Sequence, residues 1–258
     1  MKGVLILSFK EIEELSLNHW QPLSTVLYDG WVLRFADGYT KRANSIQPLY
    51  DSSLPIATKL DACEDMYRSQ GLATVFKLSP YTKPMPLDDE LSQRGYRFAE
   101  ETSVQMLELD ALPSPDPAVR AKIEPLSSAW IAHFCRLSHV DPRHHPTLSQ
   151  MLQRIVAQSG YVSIIAGGQV AGCGLGVVDG AYVGLYNVVI DQALRGRGLG
   201  EQMLLQLLHW GRSPGASRSC LAVVLSNAPA MRLYAKLGYS EVYRYWYRIN
   251  DSTARASH

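Results

Sequence analysis

The 258-residue chain reads as a mixed α/β fold of the α+β kind, and three observations carry that reading. An apolar segment, Tyr186 to Ile190, runs into Arg195-Gly196-Arg197-Gly198-Leu199-Gly200, and a helix with one apolar stripe (Leu199, Met203, Leu204, Leu207, Leu208) leaves it. Three strand-like segments, Tyr161 to Ala166, Val170 to Val178 and Ala181 to Ile190, are separated by the hairpin dipeptides Gly167-Gly168 and Asp179-Gly180. Helix, Gly-Tyr and strand then occur twice, around Gly95-Tyr96 and around Gly238-Tyr239, which points to an internal repeat.

The elements follow in order. Trp31, Leu33 and Phe35 alternate as one face of a strand, the segment Asp61 to Gln70 is helical, and Val75 to Leu78 is a strand. Leu112-Pro113-Ser114-Pro115-Asp116-Pro117 cannot continue a helix or a central strand. It divides the chain into residues 1–112, a linker at 113–119 and residues 120–258. The second part opens with a strand around Lys122 to Glu124 and a helix from Ser128 to about Leu137. A second helix is expected to start at the capping-box pattern Thr147-x-x-Gln150. After the three strands and the glycine turn come a strand from Cys220 to Leu225, a helix capped by Asn227 and closed by Gly238, and a strand from Glu241 to Ile249. The order is βααβββαβαβ.

Twenty-five basic against 24 acidic residues leave a net charge of +1, with no electrostatic footprint for nucleic acid or an anionic membrane. Val4-Leu5-Ile6-Leu7 is too short for a signal core or a membrane span, so a cytoplasmic protein, monomer or homodimer, is expected. Cys63, Cys135, Cys173 and Cys220 are widely separated, which favours buried thiols over disulfides or a metal site.

The glycine turn is built to hold phosphate. Glycines let successive backbone N–H groups face an anion at a helix start, where the helix dipole adds about half a positive charge. A P-loop would need Gly-Lys-Ser/Thr, which is absent, and a dinucleotide fingerprint would need a third glycine where Glu201 stands.

What remains, Arg195-x-x-Gly198-x-Gly200, resembles the acyl-CoA pyrophosphate loop of the GNAT superfamily of N-acetyltransferases. Downstream, Ser226-Asn227-Ala228-Pro229-Ala230-Met231-Arg232-Leu233-Tyr234-Ala235-Lys236-Leu237-Gly238-Tyr239 is similar to a second GNAT signature, and βααβββαβαβ is the order of a GNAT domain. The resemblance covers roughly residues 120 to 250. The whole chain looks like a two-domain bacterial member with a degenerate first half, supported by Gly30 to Phe35 and Lys41 to Ser45. It implies tandem GNAT-like domains, each a mainly antiparallel twisted sheet flanked by helices, with the central strands of the second domain splayed. Aligning Gly95 with Gly238 sets Leu91 against Tyr234 and Pro84 against Asn227, and Leu54 to Lys59 holds no glycine, so only the second half is expected to bind cofactor.

The implied activity is transfer of an acetyl group from acetyl-CoA directly to a primary amine of a small molecule, amino acid or peptide. Protein lysine or N-terminal acetylation, and a non-catalytic acyl-CoA sensor, are the alternatives. The resemblance carries cofactor binding onto Val188, Val189, Ile190, Arg195, Gly196, Arg197, Gly198, Leu199, Gly200, Asn227 and Tyr234. It assigns polarisation of the thioester carbonyl to the Val189 N–H and the general acid to Tyr234. No carboxylate accompanies Tyr182, Tyr186 and Asn187 in the strand before the loop, which leaves a water chain or a base from elsewhere. His133, His139, Asp141, His144 and His145 border the expected acceptor side, with no metal-ligand spacing. Trp31, Arg34, Tyr39, Lys41 and Arg42 either face the acceptor across a cleft or form a strand face with solvated cations, the second reading being preferred.

Overall fold

A computed structural model describes residues 9–252 of the chain. The run Val4 to Leu7 lies outside them. The first part comprises α1 (Phe9–His19), β1 (Ser24–Tyr28), β2 (Trp31–Phe35), β3 (Ile46–Pro48), α2 (Ile56–Ser69), β4 (Thr74–Leu78), α3 (Leu87–Gln93) and β5 (Arg97–Glu108). The second comprises β6 (Arg120–Glu124), α4 (Ser128–Ser138), α5 (His145–Gln153), β7 (Gln158–Ala166), β8 (Gln169–Asp179), β9 (Tyr182–Ile190), α6 (Leu199–Arg212), β10 (Arg218–Val224), α7 (Ala228–Leu237) and β11 (Ser240–Asn250). The expected βααβββαβαβ order is the observed one.

All the strands join one 11-stranded sheet in the order β1-β2-β3-β4-β11-β5-β10-β9-β8-β7-β6. Its pairing is mirrored about the central antiparallel β11–β5 pair: β4 and β10 flank that pair antiparallel, and β3 and β9 lie parallel to β4 and β10. Each parallel pair is joined through a helix, α2 or α6, as a parallel connection requires. The repeat is thus visible in the topology, with one feature local patterns do not show. The last strands are exchanged: β5 of the first part pairs with β10 along Arg218–Val224, and β11 of the second pairs with β4.

The helices cover both faces of the sheet, as amphipathic elements must. On one face of the second part, Met203, Leu204, Leu207 and Leu208 of α6 pack with Val162, Ile164, Leu221 and Val223. On the other, α4 and α5 pack Trp130, Phe134, Leu148 and Met151 against Tyr161, Cys173, Leu175 and Tyr186. Trp20, Ala36 and Ala43 of the first part complete that second cluster, so the two parts share a core. The proline-rich segment lies along α6, where Gln202 accepts from the Asp116 N–H at 2.7 Å and His209 meets the Pro113 carbonyl at 2.9 Å.

Thr147 does not cap a helix. α5 begins at His145 with Pro146 in its first turn, and the Thr147 hydroxyl donates to Asp37 Oδ2 at 2.8 Å, tying α5 to the β2–β3 loop. A proline in the first turn has no N–H to satisfy, so the helix extends past the threonine at no cost in hydrogen bonds.

Candidate active site

β9 and β10 pair only at Tyr182/Arg218, Val183/Ser219 and Gly184/Cys220. Beyond Gly184 they separate, while β10 stays paired with β5 up to Val224. A bulge in β9 lies at the parting: Asn187 adopts φ +53°, and two residues of β9 oppose one of β8 between Cys173 and Leu175. The Asn187 side-chain Nδ2 is buried there without a hydrogen-bond partner among the described residues.

Past the bulge, Val189 pairs with Cys173, and the Asp191 N–H donates to the Ala171 carbonyl at 2.8 Å. Strand alternation therefore turns the Val189 N–H toward β8 and the amides of Val188 and Ile190 into the gap. The Val189 N–H, expected to polarise a thioester carbonyl, thus faces β8 rather than the gap. The Ile190 carbonyl also faces away from β8 and accepts from Arg195 Nε at 3.3 Å.

The glycine turn closes the gap at the C-terminal end of β9. Gly196 and Gly198 take φ of +76° and +77°, a region costly for other residues, and Gly198 is the N-cap of α6 with no side chain capping the helix. Arg195 and Arg197 are exposed beside these free N–H groups. Gly200 serves differently: a Cβ there would meet the Leu233 side chain at 3.3 Å, so it lets α6 approach α7. Glu201, where a third glycine would stand, pairs with Lys236 of α7 and fixes the same contact.

In α7, the Asn227 side chain accepts from the Ala230 N–H at 3.3 Å, and Gly238 ends the helix at φ +94°. Tyr234 is 8% exposed, stands edge-on to Tyr239 and has no hydrogen-bond partner for its hydroxyl among the described residues. Burial pushes its phenol up to about 12.

On the opposite face of the sheet lies a cavity of about 310 Å³. Leu221 and Val223 of β10 point into the α6 cluster, whereas Ala222 and Val224 line the cavity, as strand alternation requires. Its other walls are Tyr245 and Tyr247 of β11, Glu100 and Thr102 of β5, and Thr40, Lys41 and Arg42 of the β2–β3 loop. Lys41 and Arg42 are therefore not simply solvated, and the first part of the chain does reach this face. Trp31 and Leu33 are wholly buried in a separate core with Phe76 and Tyr67.

The β2–β3 loop is held rigidly. Asn44 accepts from the Ala36 and Gly38 N–H groups and donates to the carbonyls of Ala36, Tyr39 and Thr40. The buried Arg34 guanidinium donates to the Arg42, Leu17 and Trp20 carbonyls. Glu100 enters by a bulge: at φ +48° it breaks the β5–β11 register between Tyr245 and Tyr247, and its carboxylate meets Lys41 Nζ at 2.6 Å. Neither Glu100 nor the aromatic pair has a local sequence signature, because bulge and strand exchange together create the site. The histidine segment does not line it: His145 meets the Val140 carbonyl, the His144 ring is tilted 40° to that of Tyr39 at 5.4 Å between centres, and Asp141 caps a short 3₁₀ turn.

The matching position in the first part is already filled. Asp29, in the β1–β2 turn, accepts from the N–H groups of Ser53 and Leu54 just before α2, at 3.0 and 2.9 Å, and Lys59 Nζ lies 3.3 Å away. These backbone donors, Leu54 first, hold its carboxyl well below the usual carboxylate range. A carboxylate of the chain stands where the second part offers free N–H groups.

Residues 8–248 match the family described as "Probable histone acetyltransferase Rv0428c C-terminal", and the chain belongs to that family and to the GNAT superfamily of N-acetyltransferases. It is 30% identical over 246 residues to the "Uncharacterized N-acetyltransferase YobR" of Bacillus subtilis, covering 93% of this chain and 98% of that protein. A 56-residue stretch is 41% identical to a mycothiol acetyltransferase of Corynebacterium glutamicum, covering 22% of this chain and 19% of that protein. Among solved structures, a GCN5-related N-acetyltransferase from Kribbella flavida superposes with a TM-score of 0.71 at 16% identity, over 93% of this chain and 95% of that one. A tandem GNAT protein from the clavulanic acid biosynthesis pathway superposes with a TM-score of 0.65 at 14% identity, over 93% and 87%.

Proposed function

We propose that the chain transfers the acetyl group of acetyl-CoA directly to a primary amine of a small molecule, amino acid or peptide seated in the cavity beside β10. The observation that carries this is the gap between β9 and β10, with a partnerless tyrosine hydroxyl on one face and a cavity holding a carboxylate on the other. GNAT acetyltransferases as a superfamily use acetyl-CoA.

The residues present fit that co-substrate. Free N–H groups at the start of α6, with Arg195 and Arg197 beside them, suit a pyrophosphate. The inward amides of Val188 and Ile190 and the orphaned Asn187 amide suit an extended arm with peptide-like groups. Bound, acetyl-CoA supplies an activated acyl group.

The chain's residues supply the rest. The Val188 and Ile190 amides are placed to donate to a developing oxyanion in the gap. Tyr234 holds the proton for the departing thiolate. Glu100, the carboxylate lining the cavity among the described residues, takes the proton from the attacking amine directly or through water, the base that the strand before the loop lacks.

Release of free coenzyme A thiol across a panel of amines tests this reading. Wild-type protein should release thiol with at least one acceptor, and Glu100→Gln should lower kcat on the order of 10²-fold. Cofactor binding with no amine-dependent thiol release would favour the sensor instead, and an unchanged kcat would remove Glu100 from the reaction.

A further inference from the structure

The charges around the cavity do not balance. Lys41 is matched by Glu100 at 2.6 Å, but Arg42, half-buried beside them, has no carboxylate partner among the described residues. Its guanidinium lies 5.3 Å from the Trp20 ring centre and 5.9 Å from that of Tyr186. These cation–π contacts hold the group over the two rings, and its N–H donors make no hydrogen bond among the described residues. Behind it the backbone of Arg42 is held by Arg34, whose own guanidinium is used on three carbonyls. A second cation at Arg42's back raises, rather than relieves, the need for an anion in front.

We infer that Arg42 is the carboxylate-recognition residue of the acceptor site, so that the amine acetylated belongs to a compact molecule that also carries a carboxylate. A planar guanidinium matches a carboxylate through two parallel hydrogen bonds. Glu100, paired with Lys41 across the same cavity, is the group proposed above to take the amine's proton. The cavity of about 310 Å³ lies at the small end of ligand sites, which suits an amino acid or short peptide. This inference rests on the proposed transfer reaction for its amine and on Arg42 alone for its anion.

The test pairs acceptors that differ only in the acid: standard L-amino acids and short dipeptides, each beside its C-terminal amide, with phosphoethanolamine beside ethanolamine. Thiol release gives kcat/KM, and calorimetry with coenzyme A present gives binding independently of turnover. The wild-type protein should favour acids over amides by about 10- to 100-fold, the factor expected for a charged hydrogen-bonded pair. Arg42→Gln should bring that ratio near one, and Arg42→Lys should restore it in part, since the ammonium keeps the charge without the planar fork. Equal turnover of acids and amides overturns the inference and leaves the transferase reading standing. Preferential binding of acids without thiol release supports the anion site and sinks the transfer reading. A preference confined to the phosphate pair, or no binding by any acid, overturns the carboxylate assignment.

Discussion

Tyr234 shows what a single side chain contributes and what its neighbours impose on it. Burial holds its phenol up to about 12, so it keeps its proton through the neutral and mildly alkaline range. A thiol such as cysteine has a pKa near 8.5, so donation to a coenzyme A thiolate runs uphill unless the loaded site orders and desolvates both groups. Tyr234→Phe should therefore lower kcat on the order of 10²-fold while acetyl-CoA affinity, measured by titration, is retained. Equal kcat in the two proteins would return Tyr234 to a packing role beside Tyr239. Residues set by neighbours in the chain, namely Asn227, Gly238 and the glycines before α6, are legible in the sequence because turn and cap chemistry are local. Arg42 is legible only as one of two readings of the β2–β3 loop, and Glu100 not at all, because its place in the cavity depends on β5 lying beside β11, a pairing with no local signature.

Among the elements, α1 carries the clearest pH dependence. Its last residue, His19, is fully buried, with Nδ1 3.1 Å from the Tyr186 hydroxyl, Nε2 without a hydrogen-bond partner among the described residues, and Asp179 3.8 Å away. Burial lowers its pKa to about 4 against the opposing pull of Asp179. With the folded pKa below the unfolded value near 6.5, the unfolded chain binds the proton more tightly. Its neutral form is thus fully compatible with the fold above pH 6.5, and stability declines as pH falls from there toward 4. Between pH 6.5 and 5, above the usual carboxylate range, the loss should be roughly 1.5 kcal/mol. Urea denaturation at the two pH values measures it, and His19→Gln should flatten the difference; an equally steep dependence in that variant would place its origin elsewhere. α1 also brings Glu13 to Lys77 and to the Tyr243 hydroxyl, at 2.7 Å from the latter. Glu13 is 1% exposed.

At the scale of the molecule, the exchange of β5 and β11 makes each half incomplete alone. Residues 120–258 without β5 would leave β10 and β11 unpaired along the edges it covers, and unpaired strand edges invite aggregation. Produced alone, residues 120–258 should be insoluble or fail to bind acetyl-CoA, and joint production with residues 1–112 should restore both; a soluble, cofactor-binding fragment would show that the exchange is dispensable. The proline-rich segment marks where the repeat changes over in chain order. Where the sheet divides is another matter, because strand order is decided by pairing across long sequence separations.

Asp29 has a consequence at this scale. A carboxylate attached to the same chain as the N–H groups it meets acts at an effective concentration that a dissociating ligand seldom matches. The Asp29 tether closes the start of α2 from within the chain. The start of α6 has no such side chain on it among the described residues.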